Sequence, residues 1–178
     1  MNQKTAMKLF GLLGLLMLLS CGYADRHRNS SSCEQALVDS LEVRVQDSLF
    51  SNVHYSRSQL LEALTQTQDS LVYYRLLALY GKTFFVSSDF DSILYYNRRV
   101  KEFSRNASQS SESLQSPRWN DVLSDVYNIE GNVWMQLNRP DSAIIDYKKA
   151  YGYRLEGKKL YLLPDICINI ADAYLHRS

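Results

Sequence analysis

From Glu34 onward the apolar residues recur with a helical period and never alternate. Leu37, Leu41, Val45 and Leu49 fall four apart and form one stripe of an amphipathic helix. Leu60, Leu61 and Leu64 belong to a second short helix over 59–64, with Asn52 to Ser56 as the turn between the two. The polar stretch 66–70 breaks the pattern, and Asp69 has the short acceptor side chain that suits an N-cap. A helix rich in Tyr and Leu is expected over 71–86, a break at Ser87-Ser88-Asp89, and a further helix over 92–103. The serine-rich segment 106–117 carries little apolar content and reads as the least ordered internal connection. Helical patterning resumes near Trp119 and runs to about Leu137. Asn138-Arg139-Pro140 is a loop, Asp141 is expected to cap a helix to about Tyr153, and a last helix starts near Pro164. The fold class is therefore all-α.

Two of these stretches superpose. Gly81 precedes Phe84 by three residues and the Asp91-Ser92 step by ten; Gly131 stands in the same relation to Trp134 and to Asp141-Ser142. Ala171 and Tyr174 repeat the first half of the pattern. A small residue at 81, 131 or 171 admits close approach of a paired helix, and the aromatic fills the next turn. In the second helix of each unit, Ala143, Tyr147 and Ala150 make a clear small–aromatic–small series, whereas Ile93, Asn97 and Val100 make a degenerate one. The pattern resembles the tetratricopeptide repeat (TPR), a stacking helix–turn–helix unit. The resemblance implies a right-handed array of antiparallel helix pairs, a TPR-like α-solenoid. Spacings of 50 residues between the glycines and 40 from Gly131 to Ala171 exceed the usual period of about 34, which implies longer second helices and connections.

The first twenty residues are different. Lys4 and Lys8 precede an unbroken apolar and glycine run, Leu9 to Leu19, too short for the roughly 20 residues of a spanning helix. This describes a secretory signal peptide. Its end, Leu18-Leu19-Ser20-Cys21, resembles the lipobox of bacterial lipoproteins, which implies acylation of Cys21 and anchorage in the cell envelope, the outer membrane in preference to the inner. Each buried methylene contributes about 0.8 kcal/mol, so two or three acyl chains hold a protein durably on a membrane. The expected organisation is a signal segment 1–20, a flexible tether 21–33, an N-terminal helical hairpin 34–66, and repeats over 67–178, about two and a half units.

Charge and chemistry narrow the function. Lys plus Arg number 20 and Asp plus Glu 19, a net charge of +1, which gives no global field for nucleic acid. Removing 1–20 takes away two lysines and no acid, leaving a formal −1. Cys33 and Cys167 do not make a disulfide framework. His27, His54 and His176 are scattered, no metal-ligand spacing or phosphate-binding glycine loop occurs, and neither a cofactor nor an enzymatic activity is expected. Most of the 13 tyrosines read as packing residues, and Arg98-Arg99-Lys101 and Lys148-Lys149 as solvated helix faces.

Stacked helix pairs curve, and their first helices line the concave side. By resemblance the inward positions are Lys82, Phe85, Asn128, Asn132, Met135, Gln136 and Asp172, a set of amides, an aromatic and a thioether that suits a peptide. The lysine set with which some family members clamp a C-terminal carboxylate is missing. The expected function is a lipid-anchored, non-enzymatic interaction module facing the periplasm or cell exterior, with a protein or peptide partner and contact to the membrane through its lipid. The competing expectation is a truncated extracytoplasmic sensor portion of a TPR-containing signalling regulator.

Overall fold

The computed structural model describes residues 35–45, 47, 51–107 and 116–177. The signal segment, Cys21, the tether, Leu49 and most of the serine-rich connection lie outside them. The chain divides between Ser40 and Leu41 into two units. Among the described residues all regular structure is helical: α1 (residues 35–45), α2 (Val53–Gln66), α3 (Ser70–Lys82), α4 (Phe90–Ala107), α5 (Pro117–Gln136), α6 (Pro140–Leu155) and α7 (Leu163–His176). Short 3-10 turns at Thr83–Ser87 and Leu160–Leu162 follow α3 and precede α7. From α2 on, each helix packs on the next, and α5 also meets α3 and α7.

Several boundaries follow the expected chemistry. Asp69 caps α3, its carboxylate accepting from the amides of Leu71 (2.8 Å) and Val72 (3.2 Å). Ser116 caps α5 with Pro117 in its first turn, and Pro164 opens α7. Others differ. Val53 to Ser56 is helix rather than turn, because the Asn52 side chain accepts from the Tyr55 amide and starts α2 early. Asp141 is not a cap: it stands in the first turn of α6, behind Arg139 and Pro140. In α1 the buried stripe is Val38, Leu41 and Val45, and Leu37 is 48% exposed, one position off the expected face. Asn106 belongs to α4, which runs beyond Phe103.

The α3–α4 and α5–α6 hairpins repeat each other at the level of the backbone. Ser88 and Asn138, 50 residues apart, are left-handed, with φ of 54° and 55°. The amide of Ser88 donates to the Phe85 carbonyl (3.1 Å) and that of Asp89 to Phe84 (3.2 Å). Asn138 donates to Met135 (3.0 Å) and Arg139 to Trp134 (2.8 Å) in the same way. This is the two-bond helix ending in which a left-handed residue satisfies the last carbonyls. Ile93, Asn97 and Val100 and their counterparts Ala143, Tyr147 and Ala150 are all buried, so the degenerate series occupies the same inward positions. A Cβ on Gly81 would stand 2.9 Å from the Tyr96 Cβ, and one on Gly131 would stand 2.3 Å from the Tyr147 ring. Close approach is what both glycines permit.

Three apolar clusters hold these hairpins together. Leu77, Val100, Trp119, Leu123 and Val126 join α3, α4 and α5. Ile93, Ile129 and Val133 lie beside them, and Ala143, Ile144, Tyr147 and Ala173 join α6 to α7. The buried Trp119 indole donates to the Ser104 hydroxyl (3.1 Å), as a buried N–H must. One polar knot is equally buried. Arg154 donates to Asp121 (2.7 Å) and to Asp125, while the Asp121 carboxylate also accepts from the amides of Lys158 and Lys159. It thereby fastens the α6–α7 connection onto α5.

Candidate functional site

A polar groove of about 430 Å³ lies between α4 and the α5–α6 hairpin. On α4 it is lined by Arg98, Lys101, Glu102, Ser104 and Arg105. Positions 98, 101 and 105 are spaced by three and four and lie on one helix face. The opposite wall is Leu123 and Tyr127 of α5 with Lys149 and Tyr153 of α6. Leu123 belongs to the buried core, so the groove has an apolar floor continuous with the interior.

Tyr127 is the centre of this wall. Its ring stacks on Tyr153 with centroids 5.7 Å apart and planes 5° from parallel. The Lys101 and Lys149 ammonium groups lie 5.2 and 5.0 Å from its centroid. Each lysine is also held by a carboxylate: Lys101 by Glu130 at 2.6 Å, Lys149 by Asp146 at 3.0 Å. Asp146 accepts from the Trp134 indole as well (2.8 Å). Lys101 is thus a partly buried bridge between hairpins rather than part of a solvated face, while Arg98 and Arg99 are exposed as expected.

Burial sets the protonation states here. It pushes the Tyr127 hydroxyl up to about 12, helped by the Glu130 and Asp146 carboxylates and by competition with ionisation of the neighbouring Tyr153 phenol. At neutral pH Tyr127 is protonated, as any phenol is, and keeps a donor. Burial also raises Glu130 above its ordinary value of 4.5, opposed by the hydrogen bond and charge of Lys101. Among the described residues no group of three or more His, Cys, Asp and Glu side chains is placed to hold a metal ion. No helix of the described residues is long and apolar enough to cross a membrane.

The seven residues expected on a concave face have mixed environments. Asn132 is engaged internally, its amide oxygen accepting from the Tyr147 hydroxyl (2.7 Å). Asn128 accepts from Asn169 of α7 (3.0 Å). Met135 packs against the α6–α7 cluster, and Phe85 against the Ile93–Ile129–Val133 cluster with Phe90 6.4 Å away. Lys82 is half-buried, Gln136 exposed, and Asp172 exposed beside His176 (3.4 Å). The tyrosine pair and Glu130 were not among the residues expected to bind. The basic run on α4 reads as a solvated face in the sequence, and what makes it one wall of a groove is a facing wall about 30 positions away.

No family model matches the chain, and no characterised protein or solved structure matches it either.

Proposed function

We propose that the chain is a non-enzymatic interaction module of TPR-like helical repeats, anchored to the bacterial cell envelope by a lipid on Cys21 and facing the periplasm or exterior. It captures a protein or peptide partner. The observation that supports this reading is the recurrence, 50 residues apart, of the same left-handed turn residue and the same two hydrogen bonds. A helix pair that recurs with its turn intact is the unit from which stacked binding arrays are built. Between two such pairs lies the α4–α5–α6 groove, lined by charged and aromatic side chains.

Two measurements test the two halves of the proposal. Labelling with an acyl-chain analogue should mark wild type, and Cys21→Ala should leave the membrane fraction; equal retention of that variant refutes the anchor. For the partner, wild type, Arg98→Ala with Tyr153→Ala, and Lys82→Ala with Gln136→Ala are used to capture proteins from envelope extract. The first double variant should lose a partner that wild type retains. If only the second loses it, the site moves to the predicted concave face. Failure of folded wild type to retain any protein above background refutes the interaction reading.

A further inference from the structure

We propose that the outward face of α7 is a contact between two copies of this chain, laid side by side with their α7 helices parallel. Neither the groove nor the lipid anchor enters this inference. Helix α7 is apolar on two sides. Ile166 and Ala173 are buried, Ile170 packs on the α6–α7 cluster, and the Asn169 amide donates to Asn128 of α5, so one side belongs to the fold. Pro164, Ile168, Ala171 and Leu175 are all exposed, Ile168 at 65% and Leu175 at 76%. With about 3.6 residues per turn, these four fall in one narrow stripe on the side opposite Ile166 and Ala173. A single exposed apolar residue carries no meaning, but steps of four, three and four are the seam spacing at which two helices interlock.

The groups flanking the stripe select the occupant and its orientation. On one flank stand Asp165 and Asp172, the latter with its carboxylate 3.4 Å from His176. On the other stands Tyr174, whose hydroxyl accepts from the Lys148 ammonium of α6 (2.8 Å). That lysine is exposed, and its partner there is a neutral phenol rather than a carboxylate. In a parallel pair with its two-fold axis along the seam, the acidic flank of each helix meets the basic flank of the other. Helical side chains lean toward the N-terminus, which carries the Tyr174 hydroxyl and its lysine back to the level of Asp172. Each Asp172 then faces the other copy's Lys148. An antiparallel pair would set the two acidic flanks against each other instead. The face is therefore complementary to itself in one orientation. One helix per copy makes a small interface, of the size that dissociates on dilution.

The test is sedimentation equilibrium of the full chain carrying Cys21→Ser, which keeps lipid-driven association out of the measurement. A monomer–dimer equilibrium should appear as concentration rises. Ile168→Glu with Leu175→Glu should leave monomer alone, with an unchanged thermal melt because both side chains are exposed. Asp172→Lys and Lys148→Asp should each weaken the dimer about threefold or more, and together they should restore it to within about twofold of the parent. A merely structural role for either residue gives no such rescue. Orientation is read by Leu175→Cys in a chain with Cys21, Cys33 and Cys167 replaced by serine. Parallel helices bring the two 175 positions together, and oxidation should yield a covalent dimer. In an antiparallel pair, with Leu175 opposite Pro164, those positions lie about 16 Å apart at ~1.5 Å per residue, beyond disulfide reach. A monomer at every concentration, no rescue by the charge exchange, or no cross-link overturns the inference. So do envelope proteins that bind monomeric parent and are lost by Ile168→Glu with Leu175→Glu, since they would assign the face to a different protein.

Discussion

At the scale of single residues, the two packing glycines and an exposed one make opposite demands. Gly131 lies against the Tyr147 ring with no room for a methyl, whereas Gly152, also within a helix, meets nothing within 4 Å of where a Cβ would go. Gly131→Ala should destabilise by about 1–3 kcal/mol through overpacking. Gly152→Ala should stabilise by about 0.4–1 kcal/mol by restricting the unfolded chain. Thermal melts of the two variants read the difference, and a stabilising Gly131→Ala would contradict the close approach. Glu130 gives a pH signature. Its folded carboxyl lies above 4.5, so the folded state holds the proton more tightly than the unfolded chain. The associated stability is present at low pH and is lost as pH rises from 4.5 through the raised folded value. Glu130→Gln should flatten that fall in urea midpoints taken between about pH 4 and pH 7. Asp89 has its pKa lowered by hydrogen bonds from Ser92, so its change lies below 3.8, outside this window. Glycine spacing was legible because it is local. The Glu130–Lys101 pair, 29 residues apart, was not, since nothing nearby in the chain distinguishes a bridging lysine from a solvated one.

At the scale of elements, the ends of α3 and α5 share a turn but not its cost. Ser88 and Asn138 both sit left-handed, a conformation that asparagine tolerates better than serine. Ser88→Gly should gain about 0.5–1 kcal/mol, and Asn138→Gly close to nothing. Chemical denaturation of both variants checks the order, and a larger gain at Asn138 would contradict it. Most helices were legible from period, caps and proline. The end of α3 moved because it is fixed by a partner outside the local pattern, whereas the start of α2 moved through the local Asn52 cap. Arg57 of α2 donates to the Thr83 hydroxyl (3.1 Å) and carbonyl (3.2 Å) and lies 4.1 Å from the Phe84 ring centroid, where α3 gives way to a 3-10 turn. The α5 end continues as α-helix to Gln136, with Arg139 5.9 Å from the centroid of the equivalent aromatic, Trp134. The expected Asp141 cap failed for a simpler reason: Pro140 already occupies the first turn, so Asp141 lies inside the helix.

At the scale of the whole molecule, the all-helical class of the described residues was legible from periodicity alone, and the candidate groove was not. The basic run Arg98-Arg99-Lys101 reads as a solvated face in the sequence, and the wall opposite it depends on which side of α5 turns toward α4. That orientation is set by long-range contacts such as the Asn97 amide donating to the Val126 carbonyl (3.2 Å). Helix α5 is where these contacts meet: α3, α4, α6 and α7 all pack on it, and the Asp121–Arg154 knot ties the next connection to it. Amide protons on α5 can become accessible to deuterium only when several neighbours part together. Their exchange should therefore follow complete unfolding, shifting with denaturant as steeply as the global transition. Amides of α2, which packs chiefly on α3 and the turn after it, should exchange earlier and with a shallower dependence. Peptide-resolved exchange reads both slopes. An α5 that exchanged as readily as α2 would mean that the two hairpins open separately, each keeping its own clock.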